Sequence, residues 1–387
     1  MKKIGFFIVL IAGTVFLVVT FLPRVRFADP DLGKLSVVKH CFHDEIYLGR
    51  SDNDVLMFGA SRTGRAASYD AIGKFYSMVE SSPLKMFKFQ TAWANPDMDY
   101  FILRDYLENN PAPKVVLVEL MPVRRKPPPV RYVHPFFSGM APFDLYFDVL
   151  RPNNFKTSYI FNLSDFIRLL LRHIDLSLTN LLVADHYFVV PDENDCPNHL
   201  APRPDNVLRT SAGNQRQQAP DYETLLDAET ANLAQKVGTQ NVGKVAALIR
   251  GYKDKNAIGF DPVRSRQMIN RVKRLGETWQ SRQLERSLSE DGAAEWDFQY
   301  YRRMVRLARN HGVEIVFYIL PSLLDPAYPE AKIHELEGRL NANVEILPFP
   351  ITRVSYHFYR DVTHVSENLQ NLYGIWFASL VSERLRD

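Results

Sequence analysis

The stretch Val55-Leu56-Met57-Phe58-Gly59-Ala60-Ser61-Arg62-Thr63-Gly64-Arg65 decides how this chain is read. Four consecutive apolar residues stopped by glycine have the length and composition of a strand buried on both faces, with no polar alternation to mark an exposed side. The small residues that follow turn the chain toward a helix. A serine in that turn can present its hydroxyl at the carboxyl end of a sheet while its backbone N–H faces an oxyanion. The same residues also fit an ordinary strand-to-helix turn in which Ser61 caps the helix. Gly59 and Gly64 have the G-x-x-x-x-G spacing of a phosphate loop, but that motif continues with Lys and then Ser or Thr. Arg65 and Ala66 stand there instead, which excludes it.

Outward from this stretch the rhythm repeats. Met86 to Gln90 reads as a second strand, Val115 to Leu120 as a third and Val313 to Leu320 as a fourth, each stopped by small residues or proline. Their uniform apolarity suits parallel strands covered by helices. Met98, Phe101, Ile102 and Tyr106 recur at helical spacing between the second and third strands. Phe298, Tyr301, Met304, Val305 and Ala308 do so before the fourth, and Asn310-His311-Gly312 supplies a glycine stop. Near the end, Leu369, Leu372, Trp376, Phe377 and Leu380 form the apolar face of a last helix. These stripes are core packing, and alternating strands and helices define an α/β protein.

The beginning of the sequence sets the expected compartment. From Ile4 to Leu22 no charged residue occurs, a run long enough at ~1.5 Å per residue to cross a hydrocarbon layer of ~30 Å. Lys2 and Lys3 precede it, and Pro23, Arg24, Val25 and Arg26 follow where a cleavable signal would carry small residues. An uncleaved signal-anchor is therefore expected, with the rest of the chain outside the cytoplasmic membrane. Arg24, Arg26, Lys34 and Lys39 outnumber the two preceding lysines, so the charge count opposes that orientation. Whether Cys41 and Cys196 pair stays open, because sequence separation does not fix their distance.

With 47 basic and 44 acidic residues among 387, no overall field selects nucleic acid, and Arg124-Arg125-Lys126 reads as solvated loop. Residues 1–26 are expected as anchor, 27–52 as stem, 53–129 and 291–387 as two parts of one core, and 130–290 as an insertion. That insertion holds the aromatic His134-Pro135-Phe136-Phe137, a helical segment near Ser164 to Leu178, and a polar tract from Asp192 to Gln240 that reads as a long loop or lid. Cys196 and His199 with His186 have metal-binding donor types, but two cysteines cannot make the usual structural zinc set. Neither metal nor cofactor is expected. Glu119, at the end of the third strand, reads as a solvated loop carboxylate rather than an acid catalyst.

A second short sequence bears on chemistry: Tyr359-Arg360-Asp361-Val362-Thr363-His364, just before the last helix. The three-residue separation allows Asp361 to hold the His364 ring while the other ring nitrogen faces a nucleophile elsewhere. Read singly, Asp361 is a turn or capping residue and His364 a surface histidine.

Together, the serine after the first strand and the late Asp-x-x-His resemble the SGNH/GDSL hydrolase superfamily over about 53–123 and 296–384. The resemblance is closer to its membrane-anchored envelope proteins, the D-alanyl transfer protein of teichoic-acid modification and the O-acetylation proteins of exported polysaccharides. It implies a flavodoxin-like three-layer α/β/α parallel sheet carrying a large insertion and an N-terminal transmembrane helix. It also implies a catalytic triad of Ser61, Asp361 and His364 that transfers or removes acyl groups, with acetyl the expected group, on a cell-envelope polysaccharide. A membrane-bound O-acyltransferase is the implied partner. The chain departs from the superfamily's pattern at its second and third blocks: Thr91-Ala92-Trp93-Ala94-Asn95-Pro96 lacks the usual glycine, and Glu119-Leu120-Met121-Pro122 lacks the usual Asn. An oxyanion hole would then combine the Ser61 N–H with a donor near Asn95, which equally fits a helix cap. The missing Asn leaves room for a non-catalytic scaffold or binding subunit of an envelope-modification complex, and Phe136-Phe137 for the acyl pocket of a small-ester esterase or lipase.

Overall fold

A computed structural model describes Gly13, residues 45–47, 51–90, 96–120, 243–244, 246–247, Asn270, and residues 293–320, 330–340, 344–349 and 367–386. Apart from Gly13, the expected membrane segment lies outside them, as do most of the stem and nearly all of the expected insertion. Among the described residues no helix is long and apolar enough to cross a membrane. The chain divides into two compact units: residues 50–123, 197–289 and 297–387 form one, and residues 1–49, 124–196 and 290–296 the other.

The first unit is built on a parallel sheet. Its strands are β1 (Val55–Gly59), β2 (Met86–Gln90), β3 (Val115–Glu119), β4 (Glu314–Ile319) and β5 (Glu345–Pro348), in the order β2-β1-β3-β4-β5. This is the doubly wound flavodoxin order, in which the direction of winding reverses beside β1. Val55 lies opposite Met86 on one side and Val115 on the other, and Glu119 lies opposite Tyr318. Every residue of β1 and β3 is buried, as their unbroken apolar sequences require.

Helices cover both faces. On one face lie α1 (Ser61–Ala66), α2 (Tyr69–Val79) and the final helix α6 (Glu367–Arg386), packed on Val55, Met57, Leu117, Val316 and Tyr318. On the other lie α3 (Pro96–Asn109) and α4 (Ala293–Asn310), where Tyr106 meets Phe89 at 6.2 Å and Tyr301 meets Phe317 at 5.3 Å between ring centroids. The short helix α5 (Glu330–Arg339) lies beside α4, its Arg339 guanidinium over the Phe298 ring. Each fully buried aromatic or aliphatic side chain contributes roughly 1.5–3 kcal/mol, so these two layers dominate the stability of the unit.

Several sequence expectations take definite form here. Helix α4 ends as anticipated: Gly312 adopts a left-handed φ of 68°, and the Val313 N–H bonds the Ala308 carbonyl at 2.9 Å. The final helix differs from expectation. Its burial is not confined to one apolar face, because Asn371, Tyr373, Ile375, Ala378, Ser379, Val381 and Ser382 are buried alongside Leu372, Phe377 and Leu380. The cause is that it packs against both α2 and the sheet. Phe349 stacks on Tyr373 at 3.8 Å, Tyr318 meets Phe377 at 4.9 Å, and the Ser382 hydroxyl bonds Glu80 at the end of α2.

Candidate functional site

The reversal of strand order places β1 and β3 side by side at the centre of the sheet, where ligands of open α/β folds bind beyond the carboxyl ends. β1 leads directly into Ala60 and Ser61, and β3 ends at Glu119. Thus the serine singled out in the sequence sits at the switch point. Ser61 is partly buried and is the first residue of α1.

Its N-cap role does not hold. The N-cap is Ala60, with φ −86° and ψ −166°, whose side chain makes no capping bond. The first helical bond runs from the Gly64 N–H to the Ala60 carbonyl at 3.1 Å. Ser61 thus stands one position inside the helix, past the N-cap position where a serine oxygen stabilises most.

The turn is shaped by residues around Ser61. Glu119 is fully buried, which corrects its reading as a solvated loop carboxylate. One of its oxygens, Oε2, accepts the Ala60 N–H at 2.9 Å and the Thr63 hydroxyl at 2.7 Å. The other, Oε1, accepts Arg62 Nε at 2.8 Å and lies 2.8 Å from Arg62 Nη2. The Arg62 side chain is only 11% exposed, and its Nη1 reaches the Leu320 carbonyl at 3.4 Å. A carboxylate offers about four lone-pair sites, and here four donors meet it. A buried carboxylate is tolerated on such terms, whereas an uncompensated one would cost several kcal/mol.

From β4, Tyr318 completes the arrangement. Its hydroxyl donates to the Phe58 carbonyl at 2.9 Å and lies 2.7 Å from Thr63 Oγ1. Because the single Thr63 proton goes to Glu119, the proton between Thr63 and Tyr318 belongs to the tyrosine, shared with the Phe58 carbonyl. Burial, reinforced by the Glu119 charge, pushes the Tyr318 hydroxyl well above the ordinary tyrosine range and keeps it a donor. The Tyr301 hydroxyl bonds the Glu119 backbone carbonyl at 3.2 Å.

Both glycines of the opening stretch answer to packing. A Cβ on Gly59 would stand 2.1 Å from Thr63 Oγ1 and 2.9 Å from Glu119 Oε2, so only glycine lets the clamp close over the strand end. A Cβ on Gly64 would meet the Gln90 amide at 1.9 Å. With the Ala60 N–H committed to Glu119, that group is not available to an oxyanion.

Of the expected site residues, the structure places Ser61. Asp361, His364 and the expected oxyanion donor Asn95 lie outside the described residues, as do Cys41, Cys196, His186 and His199. The sequence reading missed Arg62, Thr63, Glu119 and Tyr318 as a unit. A glutamate inside Val115-Val116-Leu117-Val118-Glu119-Leu120 could have signalled it, since a carboxylate flanked by apolar residues on both sides needs a buried cation. No protein-family model matches the chain, and no curated protein matches it.

Proposed function

We propose that the chain is an SGNH-type serine acyltransferase or esterase that transfers or removes acyl groups, with acetyl the expected group, on a cell-envelope polysaccharide. In this reading His364, oriented by Asp361, takes the proton of Ser61. Ser61 then attacks the acyl carbonyl, the alcohol leaves with that proton, and water or a sugar hydroxyl releases the acyl group. The uncharged run from Ile4 to Leu22 tethers the protein to the membrane with its catalytic part outside, beside a membrane-bound O-acyltransferase. The observation that carries the proposal is the place of Ser61: at the switch point of a flavodoxin-ordered sheet and first in its helix.

The test is covalent labelling of the full chain by a fluorophosphonate probe. Label confined to Ser61, and absent from Ser61→Ala, supports the reading. A folded parent that takes no label overturns it. A non-catalytic scaffold is the second reading, favoured by one observation: both Glu119 oxygens are occupied within the protein, and β3 ends in that glutamate where the superfamily offers an Asn donor.

A further inference from the structure

We infer that Glu119 and Tyr318 are positioning residues that hold the Ser61 turn in the geometry its chemistry needs, an inference that rests on Ser61 being the nucleophile. Their contacts bracket the serine on both sides. Before it, the Phe58 carbonyl is held by Tyr318 and the Ala60 N–H by Glu119. After it, Arg62 and Thr63 are held by the same carboxylate, and Thr63 also by Tyr318. The anchors come from the two strands next along the sheet, β3 and β4, so the turn is referred to the rigid centre of the fold rather than to a neighbouring loop.

A helix of six residues cannot supply this rigidity itself, because its few internal hydrogen bonds do not outweigh the cost of nucleation. Its N-cap residue, Ala60, has no side-chain oxygen to cap it either. The bond from the Ala60 N–H to Glu119 fixes the residue at which strand becomes helix. The Thr63 hydroxyl ties the first turn of the helix to the same carboxylate oxygen. Reacting groups misplaced by about 1 Å can lose roughly 10² in rate. A loosened turn should therefore slow attack by Ser61 while leaving the affinity for the reagent that reaches it nearly unchanged.

Two readouts on the full chain separate this inference from the function it rests on. Amide hydrogen exchange of residues 60–66 reports the clamp whether or not Ser61 reacts. Fluorophosphonate labelling, resolved into probe affinity and inactivation rate constant, reports the nucleophile. Glu119→Gln keeps the shape and one acceptor oxygen but loses the charge that Arg62 faces. Tyr318→Phe keeps the ring against Phe377 and loses only the hydroxyl.

Each folded variant should exchange the 60–66 amides at least about tenfold faster, with the rest of the sheet protected. Each should label about 10–100-fold more slowly at unchanged probe affinity. Should Glu119→Gln fail to fold, Tyr318→Phe decides alone. Exchange and inactivation rate both within twofold of the parent overturn the inference, as does slower labelling that comes wholly from weaker affinity. A parent that takes no label, together with faster exchange in the variants, sinks the nucleophile and leaves a clamp around an unreactive serine.

Discussion

Two neighbouring positions in the β1 turn should respond to alanine in opposite ways. Ser61→Ala removes one hydroxyl at a position inside the N-cap, so the unfolding free energy should change by no more than about 1.5 kcal/mol in urea titrations. Loss of the nucleophile, by contrast, costs on the order of 10⁶ in turnover when a serine hydrolase loses a triad member. A stable Ser61→Ala protein that keeps the full polymer acylation level in cells would point to the scaffold. Gly59→Ala should do the reverse to stability, because its Cβ falls 2.1 Å from Thr63 Oγ1 and 2.6 Å from Thr63 Cβ. Overpacking of this kind costs roughly 1–3 kcal/mol, and here it also pushes on the clamp. The urea midpoint should drop, with labelling lost among the molecules that remain folded. Ser61 was legible because a strand, a glycine and a small-residue turn sit within a few positions of it. The Glu119 partners were not, because Ala60, Arg62 and Thr63 lie 56 to 59 positions away and Tyr318 comes from another strand. Nothing in their spacing records the meeting.

The long apolar runs showed at element scale within a residue or two of their observed bounds, since a strand buried on both faces has no polar positions to confuse its ends. β5 was not read: Glu345-Ile346-Leu347-Pro348 holds only two apolar side chains, and Pro348 suits an edge strand. Helix α5 was hidden in a charged segment whose apolar positions Ile333 and Leu336 are too few to declare a stripe. The final helix makes two further demands that can be measured. A Cβ at Gly374 would lie 2.8 Å from the Ala71 Cβ and 3.2 Å from the Ser68 carbonyl. Gly374→Ala gains about 1 kcal/mol of helix propensity. It forces α6 off α2 at a cost of roughly 1–3 kcal/mol, so calorimetry should show a net lower melting temperature.

Glu80, at the end of α2, is held below its ordinary carboxyl range by the Ser382 hydroxyl and, beyond it, by Arg386, against the opposing effect of burial. A carboxyl depressed in the folded state stabilises above its unfolded pKa, and that stability is lost as pH falls through the folded value. Glu80→Gln should therefore lower the urea midpoint at neutral pH, with the gap to the parent closing below about pH 4. A gap that stays constant into acid would show that Glu80 acts by shape alone.

For the whole molecule, the orientation of the proposed anchor is a question of which side the sheet occupies. Alkaline phosphatase fused after Asp387 should be active, since that enzyme folds only where disulfides form. An inactive fusion, paired with a fluorescent cytoplasmic reporter at the same point, would reverse the orientation and follow the charges at Arg24 and Arg26. One feature of the sheet also bears on how the chain is made. β3 and β4 are hydrogen-bonded neighbours, yet roughly 200 residues separate them, which at ~5–20 residues per second is about 10–40 s of synthesis. Through that interval β1, β2 and β3 can already be joined while the far edge of β3 offers bare N–H and C=O groups to any passing strand. A nascent chain in this state invites rescue by chaperones, and truncation before β4 should yield aggregates rather than a smaller soluble domain.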